Sequence, residues 1–461
     1  MMKYFYLTMI VIMNILFTQS IMIKPQLMYS HESDSEQIIG QDKPFDDFEL
    51  LLVSEYSNNK FYFLSHMGYH LLNGSVDDLS DFSKRQGLQH IENPPGLGRD
   101  QRNYYISDMK VNFGDSVLVF YLNKWEKQWG PGNSSLLLSD NIPSFFHFGF
   151  KWTIDPSLKF EYFHGSFRSK IRNESLVGYY DESENFKFDI NRNIVGHRLD
   201  WMVNDKLILS GSELVVYANR MLEMTYLLPF VPFFPLQGYV GEIDNVLLAG
   251  EFQYLISKNF KLYGTLLIDE WTPPNTFNDD NHNWFGWQLG GRKGDLLLSN
   301  DIFNIEFNWT DHRIYRHKFN INDYYSYGHS AGFWAGSHAQ EIYIEYVFDM
   351  ANSKVALMYS NAKRGELTDV MLEEQYCWPN DCSSDIISTY KRFDGAVESK
   401  KIIKLSLHKK ITANASVSIS FSHVDWDNAG AKFISESSSL IILEEDNIIK
   451  NSLDYKIIYS F

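Results

Sequence analysis

Leu453-Asp-Tyr-Lys-Ile-Ile-Tyr-Ser-Phe461 closes the sequence. Leu453, Tyr455, Ile457, Tyr459 and Phe461 share one side at a period of two, and Asp454, Lys456 and Ser460 share the other. Only Ile458 breaks the pattern. Such alternation suits a strand with one face in lipid and the other toward a polar lumen. A soluble sandwich can end on the same kind of strand, so the rest of the chain must decide.

The rhythm recurs upstream. Phe146, Phe148, Phe150 and Trp152 alternate with His147, Gly149 and Lys151, and a turn at Asp155-Pro156 leads to Leu158, Phe160 and Tyr162, which predicts a hairpin. Phe303, Ile305, Phe307 and Trp309 form another apolar face, as do Ile342, Ile344, Tyr346 and Phe348. Ala413 to Phe421 alternates with a row of serines, Ser416, Ser418, Ser420 and Ser422. A serine row opposite an apolar row is hard to bury in a sandwich and natural between water and lipid. The segments have the ~9–11 residues that a tilted strand needs to cross a bilayer. At roughly 20 residues per strand and connection, the chain from about residue 100 has room for ~16–18 strands. Polar stretches at 182–192, 272–283, 320–338, 364–384 and 425–438 are expected as outer loops.

The front of the chain agrees. Lys3 precedes a largely apolar stretch from Tyr4 to Phe17, and Thr18-Gln19-Ser20 offers small residues for cleavage, so residues 1–20 read as a secretory signal peptide. An uncleaved anchor is the alternative, because Ile21 to Ile23 extend the apolar run. The most apolar internal stretch, Tyr226 to Tyr239, carries Pro229, Pro232 and Pro235 and cannot be a spanning helix. A membrane location therefore requires a closed barrel, since only helices and closed barrels satisfy every backbone group in lipid. Residues 21–100 show no clear alternation and are expected to form an N-terminal periplasmic region of short helices or first strands. Lys60 to Leu72 is a candidate strand pair within it. Residues 101–461 are expected to form the barrel.

Composition is compatible with this. The chain is 44% hydrophobic and 16% aromatic, with 28 Tyr, 34 Phe and 11 Trp, a surplus that barrels place in interfacial girdles. A net charge of -17 argues against a nucleic-acid partner. Cys377 and Cys382 stand alone, which in an oxidising compartment reads as a small loop-closing disulfide rather than a metal site.

Five stretches in the central chain carry a family resemblance. They are Lys124-Trp-Glu-Lys-Gln-Trp-Gly-Pro-Gly132, His197-Arg-Leu-Asp-Trp201, Tyr226-Leu-Leu-Pro-Phe230 with Asp244-Asn-Val-Leu-Leu-Ala-Gly-Glu251, Leu262-Tyr-Gly-Thr-Leu-Leu-Ile-Asp-Glu270, and Tyr327-Gly-His-Ser-Ala-Gly332. In this order they resemble the Wzi family of outer-membrane capsule-assembly barrels. The helical periplasmic segment of the enterobacterial members is not recognisable here. The resemblance implies a monomeric barrel of about 18 strands in the outer membrane of a Gram-negative-type bacterium, with a lectin-like role toward capsular or related surface polysaccharide. The terminal Phe461 resembles the signal by which such barrels engage the assembly machinery.

No phosphate-binding loop, His-Glu-x-x-His or Gly-x-Ser-x-Gly motif occurs, so no enzyme and no cofactor is expected. Asp311, His312 and His317 lie among Arg313, Arg316 and Lys318, which favours an ion-pair network over a metal site. Sugars are held by aromatic faces and by carboxylates or amides that grip hydroxyls. Trp125, Trp129, Asp269, Glu270, Trp271, Trp284 and Trp287 supply that chemistry and are the candidate polysaccharide-binding residues. Membrane-interface anchoring explains the tryptophans as well. Gly130-Pro131-Gly132 reads as a tight turn at the Trp129 strand end. Three functions remain open: a polysaccharide-binding barrel, a porin or sugar-uptake channel, and an outer-membrane hydrolase.

Overall fold

The computed structural model describes residues 21–461 except 76–78, 89–99, 181–187, 272, 276–282, 369, 373–391, 394, 436, 438 and 443–446. The proposed signal peptide and the proposed Cys377–Cys382 bridge therefore lie outside the described residues.

The strands, in chain order, begin with β1 (Met22–Glu32), β2 (Phe45–Ser57), β3 (Phe61–Gly74), β4 (Gln101–Gly114) and β5 (Leu118–Trp125). Next come β6 (Phe145–Asp155), β7 (Leu158–Arg172), β8 (Asp189–Asn204), β9 (Leu207–Ala218), β10 (Asn245–Ser257) and β11 (Phe260–Glu270). β12 (Trp284–Gly294), β13 (Ile302–Thr310), β14 (Tyr325–Ser326), β15 (His329–Ser330), β16 (Ala339–Met350) and β17 (Ser353–Gly365) follow. The last are β18 (Val397–Lys410), β19 (Ala415–Asp427), β20 (Lys432–Ile434), β21 (Ser439–Ile441) and β22 (Ile448–Ser460). β14–β15 and β20–β21 are small separate hairpins. The other 18 strands form one antiparallel sheet that closes where β22 pairs onto β1, Gln26 opposite Ser460. No described helix is long and apolar enough to cross a membrane.

The alternation is as read. Leu453, Ile457 and Phe461 are exposed on the outer face, while Asp454 and Ser452 are buried inward. Ile305 and Phe307 point out and Glu306 and Asn308 point in. Ile419 and Phe421 face outward opposite Ser420 and Ser422. The start of the barrel is a correction. Residues 21–100 are not a separate periplasmic region; they supply β1, β2 and β3, and Phe61 to Leu72 lies in one strand rather than a pair, with Lys60 in the turn before it. The apolar run Leu50 to Val53 hid the strand, yet Leu50 and Leu52 are exposed and Leu51 between them is buried.

Connections alternate in length. Tight turns fall at 58–60, 115–117, 156–157, 205–206, 258–259, 351–352 and 411–414, on the same end as Met22 and Ser460. Among the fully described connections, the long ones, 33–44, 126–144, 219–244 and 311–338, lie at the other end. In outer-membrane barrels the short turns are periplasmic and the long loops external. Polar stretches point to only some of the connections: 33–44 and 75–100 precede the expected start of the barrel, and 126–144 and 219–244 carry apolar runs.

The apolar loops turn inward. Phe82, Leu136, Leu137, Leu138, Tyr315, Tyr324, Phe333 and Trp334, all loop residues, are buried against Phe163, Ile194, Leu214, Val216, Leu247 and Leu267 of the inner wall. Each such burial contributes ~1.5–3 kcal/mol. Loops thus make the hydrophobic core, and it sits inside the outer half of the barrel.

Candidate functional site

The loop 126–144 is the centre of the plug. Trp129 and Leu138 pair through a backbone hydrogen bond of 2.9 Å, and the Ser135 hydroxyl accepts the N–H groups of Leu137 and Leu138 at 3.1 and 3.2 Å. Glu306, inward on β13, accepts the N–H groups of Asn133 and Ser134 at 2.7 and 3.0 Å, the Tyr263 hydroxyl at 2.7 Å and the Asn308 amide at 2.9 Å. Gly132 lies so close that an added Cβ would sit 2.4 Å from the Glu306 carboxylate. Gly130-Pro131-Gly132 is therefore a close-approach segment in the lumen as well as a turn. Tyr315 and Tyr324 donate their hydroxyls to the carbonyls of Leu136 and Leu137, both at 2.6 Å, which joins loop 311–338 to loop 126–144. From the wall, Arg192 donates to the carbonyls of Asn320, Ile321 and Tyr325 at 2.6–2.9 Å.

Loop 33–44 and residues 79–88 are pinned by charge. Glu36 meets Lys400 of β18 in a close ion pair, and Arg85 stands 3.8 Å away. Burial would raise the Glu36 carboxyl, but Lys400 and Arg85 overcome that and hold it down to about 2. Arg364 of β17 donates to Glu398 at 2.6 Å and to Asp81 at 2.9 Å.

The plug leans on one side and leaves a chamber on the other. A cavity of about 1280 Å³ runs along the wall formed by β1–β5, β18, β19 and β22. Its lining starts at Lys170 near the outer end of β7 with His329 and Phe433 of the two small hairpins, and continues to His408 and Ser418, near the tight turn 411–414. Rings from His66, His70, Tyr104 and Trp125 line it beside the carboxylates of Asp47, Asp108, Glu126 and Asp454. Lys124 bridges Asp108 at 2.8 Å, the Ser144 hydroxyl donates to Asp108 at 2.7 Å, and Lys404 lies 3.4 Å from Asp454. Burial pushes the His329 imidazole down to about 4, with Asp81 opposing and Lys170 adding to the shift, so His329 is neutral above that pH. The chamber offers hydrogen-bond donors and acceptors of both signs among aromatic edges, which is the chemistry of a polyhydroxylated ligand site.

The seven sequence candidates do not form one cluster. Trp125 lines the chamber but is 7% exposed, with Lys110 4.0 Å from its ring centre and the His66 ring at 4.7 Å. Trp129 is plug core, edge-on to Phe163 at 5.0 Å and donating to Glu161 at 3.2 Å. Asp269 is a plug anchor, since it accepts the Tyr315 N–H at 2.6 Å. Trp284 is buried, with Arg313 5.7 Å from its ring. Trp287 points outward, 49% exposed, opposite Trp309 on β13, in the position of a membrane-interface anchor. Only Glu270 and Trp271 are exposed together, at the outer end of β11. The ion-pair reading fares better. Arg313 holds Asp311 at 2.9 Å, as the charge pattern around His312 predicts. A further ion-pair group, Arg198 with Asp200 at 2.8 Å and with Glu251, lies inside the barrel. The chamber residues on β1–β3 escape a reading that starts the barrel at residue 101; the alternation of Asp47, Glu49 and Leu51 with Phe48, Leu50 and Leu52 is the available signal.

Comparison with solved structures fits the architecture. Wzi, an outer membrane protein involved in group 1 capsule assembly in Escherichia coli and described as a carbohydrate-binding β-barrel, superposes with a TM-score of 0.57. Identity is 14%, over 95% of this chain and 84% of that one. The fold is an outer-membrane barrel. OprD of Pseudomonas aeruginosa aligns at a TM-score of 0.46 and 11% identity, over 96% of this chain and 95% of its own. OccK7 of the same organism gives 0.47 and 9%, over 95% and 99%. No protein-family model and no curated protein matches the chain.

Proposed function

We propose that this barrel binds and organises capsular or related surface polysaccharide without turning it over. The observation that carries the reading is the packing of the external loops into a hydrophobic core inside the barrel, which leaves a lined chamber instead of a wide aqueous pore. The ligand occupies the chamber, where Tyr104, His66 and the carboxylates Asp47, Asp108 and Glu126 offer ring surfaces and hydroxyl acceptors. Glu270 and Trp271, exposed at the outer end of β11, provide a first contact for a chain arriving from outside. The similarity in fold to a carbohydrate-binding barrel supports the ligand class.

A second reading, a sugar-uptake channel, draws on the same cavity, because its lining extends from Lys170 and His329 at the outer end to His408 and Ser418 near the periplasmic turns. A glycan array probed with refolded protein, together with planar-bilayer recording, separates the two. Saturable glycan binding with little conductance supports the first, and a large steady conductance supports the second. Release of sugar products from a capsular glycan would replace both by an enzyme. The barrel is proposed to act as a monomer, in outer-membrane lipid, after assembly guided by Phe461.

A further inference from the structure

The loop 219–244 behaves unlike the others, for it folds over the outside of the barrel. On the outer face of β7–β10, Leu199, Trp201, Leu209 and Phe252 are exposed, as lipid-facing residues are. On that same face Tyr162, Val195, Val215, Tyr217 and Val246 are buried. What covers them is Tyr226, Phe233 and Leu236 of the loop. The loop leaves the outer end of β9 and reaches far down the wall. The Phe230 ring lies 5.9 Å from Trp152 and 5.0 Å from Phe160, both close to the periplasmic turn 156–157.

No charged residue occurs from Thr225 to Gly241, and the surface turned away from the barrel is apolar. Phe230 is 62% and Phe234 63% exposed, and Met224 and Leu228 are exposed beside them. Irregular backbone in hydrocarbon is costly unless its polar groups are satisfied. Here Pro229, Pro232 and Pro235 carry no N–H to satisfy. Polar residues of the outer wall serve other groups: the Tyr162 hydroxyl donates to the Tyr226 carbonyl at 3.0 Å, His197 Nδ1 lies 3.0 Å from the Pro229 carbonyl, and Glu213 accepts the Phe233 N–H at 2.6 Å. Glu213 is held in turn by His197 Nε2 at 2.8 Å. A His–Glu pair on a lipid-facing wall has no other evident purpose.

We propose that residues 221–243 are a membrane-immersed flap, clamped to the wall by Tyr162, His197 and Glu213, whose outer face is an interaction surface for the acyl chains of the bilayer. The flap replaces bare strand surface by a shelf that projects sideways into lipid. This does not depend on what the lumen binds.

Site-directed spin labelling in bilayers tests it. With Cys377 and Cys382 replaced by serine, a label at Phe234→Cys should collide with oxygen more than with a water-soluble nickel chelate, as a label at Leu199→Cys on the uncovered wall does. Leu228→Cys gives an independent position if Phe234→Cys does not assemble, assembly being read from heat-modifiable gel migration. Preferential collision with the nickel chelate would place the flap in water and overturn the proposal. Shielding from both reagents would mean that protein, such as a second copy, covers the surface, and would equally overturn it.

Discussion

The Glu306 carboxylate accepts the backbone N–H of Asn133 at 2.7 Å, so a strand facing the lumen holds the centre of an external loop. The distance in sequence between them shows how the barrel is closed: loops are not draped over its mouth but hydrogen-bonded into its middle. Removing this acceptor in Glu306→Ala leaves the Asn133 and Ser134 N–H groups and the Tyr263 hydroxyl without it, at a cost of about 2–4 kcal/mol. Single-channel recording should show a rise in conductance over the parent as the plug loosens. An unchanged trace would mean that Glu306 does not hold the closure.

Acid should loosen the plug through Glu36. Its carboxyl has an ordinary value of 4.5 and is held at about 2 when folded, so its contribution is fully present above about pH 4.5. That contribution is lost as pH falls toward 2, and its full size is on the order of 3 kcal/mol. The parent's thermal transition should therefore drop across this window, whereas Glu36→Gln should lack that component and start lower at neutral pH. Parallel pH profiles for the two proteins would contradict the ion-pair role.

Trp125 and Trp287 should separate cleanly. Trp125→Ala empties a buried site between His66 and Lys110 and should cost about 3–5 kcal/mol in unfolding. Trp287→Ala, on the outer face, should cost less than about 1 kcal/mol and leave glycan binding intact. Weakened glycan binding in Trp287→Ala with normal assembly would return this residue to the binding site.

The fold was legible wherever a strand had one wet and one lipid face, as in β13, β19 and β22. It was obscured wherever that rule was relaxed. Leu214-Val215-Val216-Tyr217-Ala218 and Val246-Leu247-Leu248-Ala249 are continuous apolar runs because the plug covers one face and the loop 219–244 the other. Strands buried on both faces lose their alternation. The candidate tryptophans illustrate a different limit. Residue type marks Trp129, Trp271 and Trp287 alike, but only the register tells plug core from rim from membrane belt. The chamber itself is assembled from strands at both ends of the chain, β1–β5 with β18, β19 and β22, a juxtaposition that no local pattern announces.

Titration of the refolded protein with oligosaccharides cut from the producing strain's capsule, alongside a Ser406→Trp variant, tests the central claim most directly. Ser406 lines the chamber, where an indole narrows it, and the plug anchors Glu306, Asp269 and Arg192 are not among the lining residues. Sugar binding in the chamber predicts saturable binding by the parent and weaker binding by Ser406→Trp, with heat-modifiable migration unchanged. Equal binding by both proteins, or none by the parent, would contradict it.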